Sequence, residues 1–127
     1  MGLVVAGTDV LVDYLRGEGD GASRVADEIE AGLATTVVTA FELWAGALGS
    51  ARRERAVAAL LGAIEILPME AADALRAAAV RRDLERSGLA IGMADSMIAG
   101  ICLRRRVALF TRNGDHFGRV EGLMLLP

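Results

Sequence analysis

Leu3-Val4-Val5-Ala6-Gly7 is the stretch that decides the fold. Four apolar residues without polar alternation read as a strand buried on both faces, and Gly7 marks its carboxyl end. Helical spacing takes over immediately, with Val10, Leu11, Tyr14 and Leu15 falling on one stripe. A buried strand that feeds an amphipathic helix is the unit from which parallel sheets are built.

The same unit recurs along the chain. Gly17-Glu18-Gly19-Asp20-Gly21 interrupts it before a second amphipathic helix carrying Val25, Ile29 and Leu33. The β-branched run from Thr35 to Val38 predicts a second strand. Thr39 then opens a helix expected to bury Phe41, Leu43, Trp44 and Leu48. A helix from Arg52 to Gly62 leads into Ile64-Glu65-Ile66-Leu67, which alternates like a strand until Pro68 stops it. Ala71 to Arg86 has strong helix propensity and ends at Ser87-Gly88. Gly92 precedes a helix to about Arg105, and Val107 to Phe110 and Leu123 to Leu126 read as the last two strands. The expected fold class is α/β: one domain over residues 1–127, with a central parallel sheet of four to five strands flanked by helices on both faces.

Composition narrows the function classes. The 127 residues are 54% apolar, enough for one full core, and no Ser/Pro-rich or charge-block linker divides them. A net charge of −3 argues against a protein that coats nucleic acid non-specifically, although all 14 basic residues are arginine, the side chain best suited to bidentate phosphate contacts. No apolar stretch is long enough for a bilayer, and Met1 to Ala6 lacks the basic start of a secretory signal. The lone Cys102 has no internal disulfide partner and reads as a buried free thiol. A cytoplasmic, unprocessed protein without membrane contact is the expectation.

Chemistry is concentrated in a few acids. Thr39-Ala40-Phe41-Glu42-Leu43 and Gly92-Met93-Ala94-Asp95-Ser96 each place one carboxylate inside an otherwise apolar helix start. In open α/β sheets the functional crevice lies beyond the carboxyl ends of the strands. Asp9 follows the first strand, Glu42 the second, and Asn113 with Asp115 the strand from Val107 to Phe110. Carboxylates drawn together repel unless a cation or proton intervenes, so the set points to a hard divalent metal and phosphodiester chemistry. Plain structural roles compete with this reading. Thr39-x-x-Glu42 matches a capping box, and Asp9 and Asp95 suit the positive ends of helix dipoles. His116 reads as a loop residue, and no phosphate-binding glycine loop or serine or cysteine nucleophile is evident.

With these residues in view, the chain resembles the PIN-domain ribonucleases, most closely the VapC-type toxins of toxin–antitoxin pairs. The resemblance runs end to end, through Val5 to Tyr14 with Arg16-Gly17, Thr39 to Leu43 with Ala45-Gly46-Ala47, Gly92 to Ala99, and Thr111 to Phe117 with Val120 to Leu123. It implies a Mg²⁺- or Mn²⁺-dependent endoribonuclease that acts on cellular RNA, is silenced by a VapB-type antitoxin and pairs into a homodimer. It further implies that Glu42, Asp95 and Asn113 are site residues, with Asp115 assisting and Arg112 contacting an RNA phosphate. Leu11, Tyr14, Leu15, Trp44 and Leu48 are expected to form the antitoxin groove. Gly7 departs from the pattern, because the family carries an Asp before Thr8 and glycine has no ligand atom. Impaired catalysis is the expected consequence, unless Asp9 serves as a metal ligand through a shifted geometry. The second reading is a PIN-like module that binds an antitoxin or RNA and catalyses nothing. A phosphatase-like α/β enzyme is disfavoured, since no nucleophilic Asp or Cys ends the first strand.

Overall fold

The computed structural model describes residues 3–126. In chain order the elements are β1 (Val4–Ala6), α1 (Thr8–Arg16), α2 (Gly19–Ala31), β2 (Leu33–Thr36), α3 (Val37–Ala47) and α4 (Ala51–Ala63). There follow β3 (Glu65–Leu67), α5 (Ala71–Arg86), α6 (Met93–Arg105), β4 (Ala108–Phe110) and the short α7 (Gly114–Phe117). The strands form one parallel sheet in the order β3-β2-β1-β4, with Val5 opposite Ala34 on one side and Leu109 on the other.

Alternation along these short strands sends successive side chains to opposite layers. Val5, Ala34 and Leu109 pack with Val80, Leu84, Ile98 and Ile101 of α5 and α6. Ala6, Leu33 and Phe110 pack instead with Val10, Leu11, Val25, Leu43 and Leu60 from α1 to α4. Cys102 is buried in the first layer, as expected, and burial pushes its thiol up to about 12, which keeps it unreactive. Among the described residues no helix is long and apolar enough to cross a membrane.

Several boundaries differ from the sequence expectation. β2 occupies 33–36, two residues before the predicted Thr35–Val38 strand, because Gly32 at φ 101° ends α2 in a left-handed turn and releases Leu33 into the sheet. Val37 and Val38 join α3, whose N-cap is Thr36 and not Thr39: the Thr36 hydroxyl accepts from the Thr39 N–H at 3.2 Å. Phe41 on α3 and Leu48 at its C-cap, expected to be buried, are 71% and 68% exposed. The Leu123 to Leu126 strand reduces to a single parallel bridge, Leu125 to Leu109, flanked by two backbone hydrogen bonds to Leu109.

Gly100 sets how closely α5 and α6 approach. A Cβ at this position would stand 2.7–2.8 Å from the backbone N and Cα of Ala77, atoms that cannot swing aside. Gly100→Ala is therefore expected to force the helices apart and to lower stability by about 2–3 kcal/mol. Urea unfolding of the two proteins checks this, and equal midpoints would show that the contact is slack.

Candidate active site at the carboxyl ends of β1 and β4

The chain passes from β1 to β2 and β3 in one direction and returns to place β4 on the other side of β1. Strand order reverses between β1 and β4, which is where a crevice opens in parallel sheets. Gly7 sits there as the N-cap of α1, with its N–H donating to the Phe110 carbonyl at 2.9 Å. Its φ of −77° and ψ of 169° suit any L-residue. A Cβ would meet Asp9 Oδ1 at 3.2 Å, the Phe110 carbonyl at 3.5 Å and Thr111 Cβ at 3.6 Å. Only the Asp9 side chain would have to yield.

Glu42 reaches this point from the second turn of α3. Its carboxylate accepts from the Thr8 hydroxyl at 2.6 Å, and the Thr8 oxygen lies 3.1 Å from the hydroxyl of the buried Thr39. The predicted capping box is thus absent, since Thr36 caps the helix and Glu42 is anchored across to α1. Asp95 lies in the first turn of α6 and is half-buried. Burial first, then the charge of Glu42 and, more weakly, that of Asp9 raise its carboxyl above the usual range, while His116 acts in the opposite sense. Asp95 therefore registers Glu42, Asp9 and His116 as neighbours, and the sheet has brought α1, α3, α6 and α7 to one place.

A raised carboxyl is a stability statement with a definite sign. Protonated in both folded and unfolded chains at low pH, Asp95 costs nothing there; as pH rises from about 3.8 through the higher folded value, ionisation increasingly penalises the folded state. Asp95→Asn is expected to raise the thermal midpoint at pH 7 by roughly 2–4 °C and to leave it unchanged near pH 3. Thermal scans at the two pH values measure this, and a lower midpoint at pH 7 would contradict it.

The β4–α7 turn completes the rim. Asp9 accepts from the Thr111 hydroxyl at 3.0 and 3.1 Å and from the Arg112 N–H at 2.7 Å. Arg112 donates through Nε to Asp13 at 2.5 Å and through Nη2 at 3.2 Å, so its guanidinium is paired with α1 while its side chain stays largely exposed. Asn113 caps α7, with its side-chain amide 3.0 Å from His116 Nδ1; His116, predicted in a loop, lies in this helical turn. Asp115 is exposed in the first turn of α7 and is not among the charges that shift Asp95. Among the described residues no group of three or more His, Cys, Asp or Glu side chains is placed to hold a metal ion. The sequence reading placed Thr8 and Thr111 in its motifs without a role and passed over Asp13, for which the spacing of Asp9 and Asp13, one helical turn apart, was the available signal.

The predicted antitoxin groove divides. Tyr14 and Leu15 line a groove of about 640 Å³ together with Ala26 and Ile29 of α2 and Ala59 and Leu60 of α4. Leu11 is fully buried in the core beneath it, and Trp44 and Leu48 of α3 lie outside the lining.

Comparison with known proteins agrees with this architecture. Residues 4–123 match the PIN domain family, so the chain belongs to that family. It is 38% identical over 89 residues to the tRNA(fMet)-specific endonuclease VapC of Shigella flexneri, covering 68% of this chain and 67% of that protein. The corresponding Salmonella typhimurium protein is 33% identical over 91 residues, covering 69% of each. Within the PIN family these relatives place the chain in the VapC group. Two solved structures share the fold: VapBC2 from Rickettsia felis bound to a promoter DNA fragment, with TM-score 0.87 and 22% identity over 98% of this chain and 97% of that one, and DNA-bound VapBC from Salmonella typhimurium, with TM-score 0.85 and 24% identity over 99% and 98%.

Proposed function

We propose that this single-domain chain is the toxin of a VapBC-type pair, a cytoplasmic divalent-metal-dependent endoribonuclease whose metal cage lacks one acid at Gly7. The observation that carries the reading is the gathering of Glu42, held by the Thr8 hydroxyl at 2.6 Å, and the half-buried Asp95 near the end of β1. Clustered carboxylates are hard oxygen donors chemically suited to Mg²⁺ or Mn²⁺, and a third donor would project from position 7. Glu42 and Asp95 would hold the ion, which would supply Lewis-acid stabilisation of the phosphate and an activated water. Thr8 fixes the Glu42 carboxylate by its hydrogen bond, and burial of Asp95 limits competing solvent. The Asn113 side chain, 3.0 Å from His116 Nδ1, would lend its amide to the reacting region. Arg112, exposed and held to Asp13 through Nε and Nη2, keeps Nη1 for an RNA phosphate.

Hydrolysis of one RNA phosphodiester requires water to add to phosphorus while the bond to the leaving oxygen breaks and that oxygen takes a proton. Incubating the Gly7→Asp chain with tRNA and Mn²⁺ tests the assignment. Internal cleavage that disappears with EDTA is expected; intact RNA under both conditions would overturn it.

An antitoxin partner is supported by the groove between α1, α2 and α4, whose apolar walls and small alanines fit an amphipathic segment of a VapB-type protein. The solved relatives are themselves VapBC complexes. Homodimer formation is the remaining part of the proposal, and the apolar α3 face with exposed Val37, Phe41 and Leu48 is available for it. Gly7 favours one second reading, a PIN-like module that binds antitoxin or RNA without cleaving.

A further inference from the structure

We propose that Asp9 is a positioning residue, not a metal ligand: together with Asp13 it clamps the Thr111–Asn113 turn onto α1, so that the Gly7 and Asn113 corners of the site move as one body. This deepens the reading above and rests on Asn113 belonging to the site.

The two acids lie one turn apart on the same face of α1, and each grips a different part of the turn. Both Asp9 oxygens approach the Thr111 hydroxyl, and Oδ2 also accepts the Arg112 N–H at 2.7 Å. Thr111 relays the grip, since its oxygen accepts the Asn113 N–H at 3.0 Å. Asp13 takes the Arg112 guanidinium with both oxygens. A turn that follows a strand of only three residues has little sheet to hold it, and these side chains provide the missing attachment. The strand end beside it is tied by the Gly7 N–H to Phe110 carbonyl bond. The hydrogen bonds that occupy Asp9 direct its carboxylate toward the turn, and a carboxylate so engaged is a poor candidate to swing in and replace the acid absent at Gly7.

Amide hydrogen exchange followed by NMR on the full chain tests the clamp without any need for activity. Asp9→Ala is expected to speed exchange at both Arg112 and Asn113 by at least about tenfold, while the Leu109 amide inside the sheet keeps its rate. Thr111→Val should free Asn113 and leave Arg112 protected, a split that a general loss of stability would not produce. Asp9→Asn, which keeps an acceptor for the Arg112 N–H and loses the charge, should retain protection at both. In the Gly7→Asp background, with Mn²⁺ binding followed by calorimetry and the exchange repeated under saturating diamagnetic Mg²⁺, the Arg112 amide should stay protected, because Asp9 remains on the turn. Unchanged exchange in Asp9→Ala would overturn the clamp. Loss of Arg112 protection when Mg²⁺ binds would show Asp9 leaving the turn for the ion and would overturn the proposal. Failure of Mn²⁺ to bind any variant would count against the nuclease reading alone, with the exchange data still deciding the clamp.

Discussion

Gly7→Asp is expected to raise Mn²⁺-dependent RNA cleavage by roughly a hundredfold over the chain with Gly7, a difference of about 2.7 kcal/mol in transition-state stabilisation. The backbone at position 7 already has extended angles that aspartate adopts freely, and the first atom of the new side chain meets only one soft neighbour, the Asp9 carboxylate. Electrostatics sets the scale. A carboxylate about 4 Å from a dication gains roughly 8 kcal/mol at an effective dielectric near 20, and repulsion from Glu42, Asp95 and Asp9 offsets the larger part of that. What survives is a few kcal/mol, available only when the cation is bound. Without metal the added charge should lower the thermal midpoint, and saturating Mn²⁺ should raise it by linkage. Adding Glu42→Gln to Gly7→Asp should return cleavage to background, because it removes charge from the donor anchored by Thr8. Equal, robust cleavage by the parent chain and the Gly7→Asp variant, measured side by side under single-turnover conditions, would show that position 7 is not the deficit.

The sheet was legible because each buried strand is a short apolar run followed by a helix-period stripe, and β1, α1, α5 and α6 fall within a residue or two of their predicted limits. The β2–α3 junction was not. Four β-branched residues in a row, Thr35 to Val38, carry strand propensity throughout, and what divides them is the Thr36 hydroxyl capping the Thr39 amide, a contact that propensity does not encode. Exposure of Phe41 and Leu48 was equally hidden, since an apolar residue on the outer face of a helix reads like one on the inner face when nearly every position is apolar. Glu42 and Asp95 stood out because each was the one charge in an apolar segment. The roles of Asp9 and Arg112 did not stand out, because their partners lie 99 to 103 residues away and only the closed fold brings them together.

The largest stability effect is expected at the opposite end of α6. Asp73 is fully buried in the first turn of α5, where it accepts the Glu70 N–H at 2.8 Å and a hydrogen bond from Arg104 Nε. Arg105 Nη2 lies 3.5 Å from its second oxygen and donates to Glu70 Oε1 at 3.1 Å and to the Pro68 carbonyl at 3.0 Å. Burial by itself would push the Asp73 carboxyl up, but the hydrogen bonds from Arg104 and the Glu70 amide and the charges of Arg104 and Arg105 outweigh it, and the net shift is downward. Removing the carboxylate takes away the fully buried one of the two counter-charges that Arg104 and Arg105 share, leaving them Glu70, and Arg105 already has a buried Nε with no hydrogen-bond partner among the described residues. Asp73→Ala should therefore cost about 3–5 kcal/mol at neutral pH, a fall of roughly 10–20 °C in midpoint. The pH dependence has a fixed sign: a depressed carboxyl stabilises fully above about 3.8 and loses that contribution as pH falls through the lower folded value, so the two proteins should converge in acid. A midpoint change under about 3 °C at pH 7 would show that the cluster is surface-like in energy. Asp95 lies ten residues from Arg105, roughly 15 Å along the α6 axis, so the same substitution tests whether that helix is rigid. In the Gly7→Asp background at 20 °C, where the weakened protein is still folded, cleavage should fall by no more than about threefold, because the α3 and α1 contacts that gather the acids lie at the other end of the sheet.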